Sequence, residues 1–356
     1  MRKLSNILVT GGSGFIGVNF IKYIFNDIKF DGNIINIDKL TYAGNPLSLK
    51  DIDDTYGGKK YFFEKEDICD FETLNNIFKK YNIDTVIHFA AESHVDRSIH
   101  GPGDFIQTNI IGTFNLLEAA RLNWQGREDV LFHHVSTDEV FGSLGDSGFF
   151  HESTRYDPRS PYSASKASSD HLVSAYHHTY GLPVTMSNCS NNYGPYQFPE
   201  KLIPVMILNI RDEKPLPVYG NGKNIRDWLY VEDHNSAVWM IVQNGKTGET
   251  YNIGGENEWE NIRLVDVLCR KIEKINDKSP DYYNRLITYV KDRPGHDRRY
   301  AINCDKIKNE LGWKQSVDFS EGLDRTINWY FENSKWIESI KSGEYQKWIN
   351  KNYTER

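Results

Sequence analysis

The sequence is poor in the patterns that mark several large protein classes. Its four cysteines, Cys69, Cys189, Cys269 and Cys304, lie far apart and form no C-x-x-C pair. That argues against a disulfide framework and against structural zinc. No apolar run approaches the roughly 20 residues that a membrane helix needs. Basic residues are scattered, and the net charge is −7, so the basic footprint of a nucleic-acid binder is missing. The amino-terminal "MRKLSNILVTGG" enters an apolar run almost at once and leaves no room for a signal peptide, which sets the expectation of a cytoplasmic protein. No internal repeat or low-complexity segment stands out. What is there, 356 residues with 39% hydrophobic and 26% charged content, is a soluble globular chain able to bury one large core or two linked ones.

The first half alternates short apolar runs with longer helical patterns. The runs are "NILVT" (6–10), "NIINID" (33–38), "YFFE" (61–64), "DTVIHFAA" (84–91), "VLFHHVS" (130–136) and "PVTMSN" (183–188). Continuous rather than alternating hydrophobicity predicts parallel strands covered on both faces, in a Rossmann-like doubly wound α/β sheet. Residues 104–121 carry Phe105, Ile106, Ile110, Leu116, Leu117 and Ala120 at helical spacing. Another helix is predicted after Ser160 as cap and Pro161 as first residue, stopped by Gly181. Beyond about residue 190 proline and glycine become frequent, and helices are expected near 199–213, 262–275 and 320–333. We expect an NAD-binding domain over 1–192 with a return segment near 229–253. A smaller α/β substrate domain is expected from 193–228 and 254–356, ending in a polar, peripheral tail "EYQKWINKNYTER".

"ILVTGGSGFIGVNFIKYIF" places Gly11, Gly14 and Gly17 between a strand and an apolar helix. The glycines permit a tight turn and a close approach of backbone amides to a pyrophosphate, and the helix start adds partial positive charge. A bare glycine pattern is as often an ordinary turn, but here the strand and the helix flank it on both sides. Asp38 ends the second strand 21 residues after Gly17. A carboxylate there binds adenosine ribose hydroxyls and repels a 2′-phosphate, which favours NAD over NADP; Lys39 weighs slightly the other way. Asp67 reads either as a contact to the adenine edge or as an ordinary loop aspartate.

"HHVSTDEVFG" (133–142) ends an apolar strand in a hydroxyl and two adjacent carboxylates, Thr137-Asp138-Glu139. Alone, the triplet reads as an acidic turn in water. Tyr162 and Lys166, four residues apart, share a helix face. A lysine beside a phenol lowers the tyrosine pKa and makes Tyr162 a candidate base. A solvated surface pair is the ordinary alternative. His88 and the pair His133-His134 lie on strand patterns and read as packing histidines, not metal ligands; no metal site is expected.

With the nucleotide fingerprint ahead of it, the Tyr-x-x-x-Lys pair resembles that of the extended short-chain dehydrogenase/reductase family, and Thr137 matches that family's upstream hydroxyl. "STDEVFG" is further similar to the S-T-D-E-V-Y-G signature of the dTDP-glucose 4,6-dehydratases. The resemblance runs over nearly the whole chain, through "DKLTYAGN" (38–45), "HFAAESHVDRSI" (88–99), "PYSASKA" (161–167), "NNYGPYQFPEKLIP" (191–204), "NIRDWLYVEDH" (224–234), "YNIGG" (251–255) and "DRPGHDRRYAI" (292–302). Phe141, Ser13 and Asn303 stand where tyrosine, alanine and aspartate are usual. The resemblance implies that Phe15, Ile16, Asp38, Lys39, Leu40 and Thr41 line an NAD site. It adds Asp67, Ile68, Phe89, Ala90, Ala91, Glu92, Thr108 and Asn192 to that site. For a nucleotide sugar it implies Ser93, Asn191, Lys201, Leu202, Pro217, Val218, Tyr219, Arg226, Asn261, Asp292 and His296. Lys201 and Arg226 are chemically suited to a diphosphate, although each also reads as a surface cation.

The activity implied is dehydration of dTDP-glucose to its 4-keto-6-deoxy product, with hydride held by NAD between C4 and C6. Tyr162 would take the C4 hydroxyl proton, with Thr137 on the C4 oxygen and Lys166 lowering the Tyr162 pKa and holding the nicotinamide ribose. Glu139 would remove the C5 proton and Asp138 protonate the leaving C6 hydroxyl, the division of roles expected of two carboxyls in different environments. A UDP- or CDP-glucose 4,6-dehydratase, a nucleotide-sugar 4-epimerase and a non-catalytic NAD-binding regulator remain open. The resemblance also implies a homodimer formed through the helices near 104–121 and 162–180.

Overall fold

The computed structural model describes residues 2–340. The predicted tail from residue 344 onward lies outside them. Seven parallel strands form the main sheet: β1 (Asn6–Thr10), β2 (Asn33–Ile37), β3 (Tyr61–Glu64), β4 (Thr85–His88), β5 (Leu131–Thr137) and β6 (Val184–Cys189) are followed, after β7 (Asn191–Tyr193), β8 (Leu216–Tyr219) and β9 (Ile225–Tyr230) elsewhere, by β10 (Thr250–Ile253). Their order is β10-β6-β5-β4-β1-β2-β3. The chain therefore winds outward from β1 through β3, then returns to β4 on the other side. The crevice at this reversal, beyond the carboxyl ends of β1 and β4, is where such sheets hold ligands.

Burial explains why the strands read as unbroken apolar runs. Leu8, Ile35, Val86, Phe132 and Val184 pack on one face with Leu116, Leu117 and Val173. Ile7, Val9, Ile34, Ile87 and Leu131 pack on the other with Phe20, Ile21, Ile24 and Ile241. All seven residues of β5 are buried, including both histidines. His88 bonds Thr10 and Thr113, and His133 bonds Thr185 at 2.9 Å. These rings are satisfied inside the sheet's flanks.

Two predicted elements differ in detail. The run 84–91 leaves the ladder at His88, and Phe89–Ala91 turn into the crevice wall with Ala90 N donating to Thr10 Oγ1 at 3.2 Å. Residues 104–121 are helical, but Ile106–Gly112 form a π-helical stretch. The Thr113 hydroxyl donates to Asn109 O at 2.6 Å, and the Thr113 N–H bonds Ile110 O instead. The widened turn points Asn109 inward, where it exchanges hydrogen bonds with the Glu92 backbone and donates to Ser165.

The remaining elements build against the crevice. β7 and β9 pair in parallel and β9 pairs antiparallel with β11 (Glu258–Glu260), while β12 (Ile287–Val290) lies parallel to β8. Helices Leu202–Arg211, Asn261–Ile275 and Phe319–Glu332 enclose a separate core around Ile203, Ile207, Leu264, Leu268, Leu323 and Ile327. A last helix, Ser334–Ile340, reaches back to the first unit: Trp336 Nε1 donates to Ser48 Oγ and Asn45 Nδ2 to Ser339 Oγ, each at 2.8 Å.

The helix Pro161–Tyr180 carries Tyr162 and Lys166, and its start is fixed by a reciprocal cap. Ser160 Oγ accepts from Ser163 N, and Ser163 Oγ accepts from Ser160 N, both at 3.0 Å; Gly181 at φ +69° ends it. Ser160→Ala is expected to cost about 1 kcal/mol, the usual value of an N-cap. An unchanged denaturation midpoint would show that the cap is redundant here.

Candidate active site

The loop after β1 and the start of the next helix form the floor of the crevice. Gly11 has φ +69°, and a Cβ there would stand 2.7 Å from Ala90 Cα, so the turn needs glycine to close against the loop after β4. A Cβ on Gly17 would fall 2.3 Å from Gly11 O. Gly14 caps the helix Phe15–Asn26 with no side-chain hydrogen bond, which leaves first-turn amides facing the cavity beside a glycine edge. This is a ready anion site. Asp38 follows β2, its carboxylate accepting from Ser13 N at 3.0 Å and Leu40 N at 2.8 Å. These residues fit the pyrophosphate and adenosine ribose of NAD, with a carboxylate where a 2′-phosphate would lie.

One cavity runs from these glycines to the second unit. Of the expected cofactor residues, Gly11, Gly14, Phe15, Ile16, Gly17, Asp38, Lys39, Thr41, Asp67, Ile68, Phe89, Ala90, Ala91, Glu92, Thr108 and Asn192 line it. Leu40 does not: it sits in the left-handed region at φ +57° and contributes its backbone amide to Asp38. Lys39 pairs with Asp67 at 3.4 Å, so neither is a free charge. Of the expected substrate residues, Ser93, Thr137, Asn191, Lys201, Leu202, Pro217, Val218, Tyr219, Arg226, Asn261 and His296 line the other half. Asp292 stands behind the wall and holds His296 Nδ1 at 2.6 Å. Burial and the neighbouring Arg293 push His296 down to about 3, so its ring is neutral at neutral pH.

The reactive corner is built where β5 ends. Thr137 caps the short turn Asp138–Phe141 by accepting from Glu139 N at 3.3 Å, so the triplet is held in a fixed turn and not in open water. Glu139 reaches the cavity wall, whereas Asp138 is buried just behind it at 2% exposure. Both carboxyls are raised, but to different degrees. Burial, then repulsion from Glu139, drives Asp138 well above the usual range, toward a neutral acid. Glu139 is raised by burial as well, but Arg293, Lys201 and Arg226 pull it back toward the carboxylate. Unequal environments of this kind favour a division into proton donor and proton acceptor.

Tyr162 lines the cavity between them and Lys166, but the expected effect of Lys166 on it is not found. Burial and then Glu139 raise the phenol well above its ordinary value, while a hydrogen bond with Thr137 acts in the opposite sense. The Lys166 ammonium is turned elsewhere: it donates to Val135 O at 2.9 Å and meets His134 Nε2 at 3.3 Å. Its position four residues on aligns it with Tyr162 along the helix, yet its ammonium donates to the strand carbonyl.

Several lining residues carried no signal of their own in the sequence. Glu200, 4% exposed, binds Arg97 at 2.8 Å, and Arg97 lies 3.6 Å above the Tyr42 ring. Arg293 and Tyr300 face Glu139 from the second unit. Tyr300 stacks under Arg226 at 4.2 Å, and Arg226 donates to Ile225 O and Asp297 O. Glu200 and Arg293 lie within "FPEKLIP" and "DRPGH", next to Lys201 and Asp292. Their roles depend on contacts between distant loops.

A doubly wound sheet with this glycine turn, and with Thr137 facing Tyr162, defines an extended short-chain dehydrogenase/reductase. The sequence matches the family described as GDP-mannose 4,6 dehydratase over residues 8–326. It is 54% identical over 364 residues to a dTDP-glucose 4,6-dehydratase of Escherichia coli, covering 98% of this chain and 99% of that one. A probable dTDP-glucose 4,6-dehydratase of Sinorhizobium fredii is 54% identical, with 95% and 96% covered. The crystal structure of dTDP-glucose 4,6-dehydratase DesIV from Streptomyces venezuelae, with NAD bound, superposes with a TM-score of 0.87 at 42% identity, covering 94% of this chain and 100% of that one. The chain belongs to the GDP-mannose 4,6 dehydratase family and, within it, to the dTDP-glucose 4,6-dehydratases.

The Asp38 carboxylate sets the expected cofactor choice. Titration of purified protein should give tighter binding of NAD than of NADP, and Asp38→Ser should narrow the difference. Tighter binding of NADP by the parent would overturn the ribose assignment.

Proposed function

We propose that this protein removes water from dTDP-glucose, giving dTDP-4-keto-6-deoxyglucose, as an NAD-dependent hydro-lyase. The observation that carries this reading is the carboxyl pair at the end of β5, Asp138 buried behind the wall and raised the further, Glu139 on the cavity wall and raised less, with Arg293 and Lys201 opposing its rise. A 4-epimerization needs neither; an elimination across C5 and C6 needs both. NAD, held by the glycine turn and Asp38, would supply the acceptor and later the donor of one hydride, and a positive charge within the same cavity.

The chain's residues then divide the proton work. Tyr162 takes the proton of the C4 hydroxyl, and Thr137 bonds the same oxygen. The phenol starts out protonated and raised, so this base becomes competent only when positive charge joins it in the dry site. The C4 ketone acidifies the C5 proton, which Glu139 removes. Asp138, kept neutral by burial, protonates the C6 hydroxyl as it departs. Lys166, which lines the cavity and has N–H groups beyond the one given to Val135 O, would hold the nicotinamide ribose. Lys201, Arg226 and Arg293 hold the diphosphate, and enclosure between the two units keeps water from the reactive intermediate.

We propose the domain division of residues 1–192 with 229–253 against 193–228 with 254–356; the separate core around Ile203 and Leu264 supports it, while Tyr300, Ile302 and Trp313 pack with the first core. No helix among the described residues is long and apolar enough to cross a membrane, and we place the enzyme in the cytoplasm. We further propose a homodimer through the helices near 104–121 and 162–180, where Ile106, Phe114 and Tyr180 are exposed.

The reading is tested by offering dTDP-, UDP-, CDP- and GDP-glucose and weighing the product. Loss of water from dTDP-glucose is expected; a C4 epimer of unchanged mass would overturn it. Tyr162→Phe should slow the hydride step by roughly 10²–10⁴-fold, the usual range for general base catalysis. Glu139→Gln should still oxidise C4 but accumulate bound NADH, with no solvent deuterium at C5 of recovered sugar. Asp138→Asn should exchange C5 yet lose water about 10²-fold more slowly. Exchange by Glu139→Gln at the parent rate would remove Glu139 as the base.

A further inference from the structure

Tyr162, Lys166 and Asp170 follow one another at intervals of four along the helix Pro161–Tyr180, so all three lie on one face. The first two line the cavity; Asp170 does not. It is a carboxyl with 2% exposure, set one turn behind the lysine. Its oxygens are well supplied with donors. Ser136 Oγ donates to Oδ2 at 2.8 Å and Tyr156 OH at 3.0 Å, and His134 Nε2 lies 3.1 Å from Oδ1. Hydrogen bonds of this kind favour the carboxylate, and its pKa is lowered despite burial.

The same His134 nitrogen lies 3.3 Å from Lys166 Nζ. One ring nitrogen cannot serve both neighbours at once. Carrying its proton, Nε2 donates to Asp170 and offers Lys166 nothing; without it, Nε2 accepts from Lys166 and withdraws one of its donors from the cavity. A charged Asp170 favours the first arrangement. Burial pushes His134 down to about 4, so the ring between the two charges is itself neutral.

The other groups facing Lys166 carry no compensating charge. His134 and, beside it, His88 come from β5 and β4, and both are neutral by burial. Cys189 comes from β6, its thiol pushed up to about 12. Tyr162 is on the lysine's own helix and is held above its ordinary value; Asp138 and Glu139, on the turn after β5, face Tyr162. Burial lowers Lys166, and Asp170 is the carboxylate that opposes it.

We propose that Asp170 is a positioning residue for Lys166: acting across His134, it keeps the lysine charged and leaves its remaining N–H groups free for the ribose side of the site. Asp170 touches neither substrate nor cofactor. The inference rests on the reading of Lys166 given above and adds a residue that supports it.

The test follows the single-turnover hydride step by NADH absorbance across pH, with NAD and dTDP-glucose, in the parent, Asp170→Asn and Asp170→Glu. Removing the carboxylate weakens the hold of Lys166 on its proton, so its charged form is lost at lower pH. The alkaline limb of the Asp170→Asn profile should therefore move down by about one pH unit, the lower end of the effect of a near charge. The Asp170→Glu limb should return toward the parent even if its rate stays low. A purely structural role would lower the rate at every pH and leave the limb in place, and that result would overturn the proposal. If Asp170→Asn melts below the assay temperature, Asp170→Ser takes its place with the same expected shift. Lys166→Met is run alongside. Undiminished hydride transfer there would overturn the reading of Lys166 itself, whereas a dead Lys166→Met with an unmoved Asp170→Asn limb would overturn only the role of Asp170.

Discussion

Desolvation at the carboxyl end of β5 is the constraint on which the rest of this structure depends. Asp138, Lys166 and Asp170 are each no more than 4% exposed, and Glu139 lies at the wall beside them. Water would level their proton affinities; burial separates them. It keeps Asp138 an acid, and leaves Glu139 to whichever cations the second unit supplies. It also makes Lys166 dependent on a buried counter-charge.

Such a corner is costly to hold together and needs rigid walls. The fully buried strand β5 supplies one wall, and the capped helix Pro161–Tyr180 supplies the other. The polar side chains on the sheet are not decoration in an apolar core. His134 and Ser136 point to the helix and fasten it through Asp170, so the residues that fix the helix on the sheet also fix the reactive lysine. The second unit closes the corner from outside, with Arg226, Arg293 and Tyr300 converging on Glu139. Its last helix ties back to the loop at 45–48, next to the cofactor side of the crevice. Cofactor and substrate halves are thus mechanically joined as well as chemically adjacent.

Much of this was legible in one dimension because parallel strands and nucleotide turns leave local signatures. The apolar runs gave strands nearly to the residue, as with Asn6–Thr10, because burial on both faces demands it along the whole strand. Ser160, Pro161 and Gly181 marked a helix by local hydrogen bonding and backbone geometry alone. The glycine turn and Asp38 were readable for the same reason. The π-helical stretch at 106–112 was not, since it follows from where Thr113 and Asn109 find partners.

What the sequence by itself determined was the set of reactive groups and the scaffold that carries them: a hydroxyl and two carboxyls at a strand end, and a tyrosine and a lysine on one helix face. What only the tertiary structure decided was their state. Spacing placed Lys166 beside Tyr162, but the ammonium turns to Val135 and His134, and the phenol rises instead of falling. Spacing could not tell Asp138 from Glu139 either; depth and the distant cations Arg293 and Lys201 separate them. Proton affinity depends on every charge and every water within several ångströms, whatever their distance in sequence, so it is fixed only when the chain has folded.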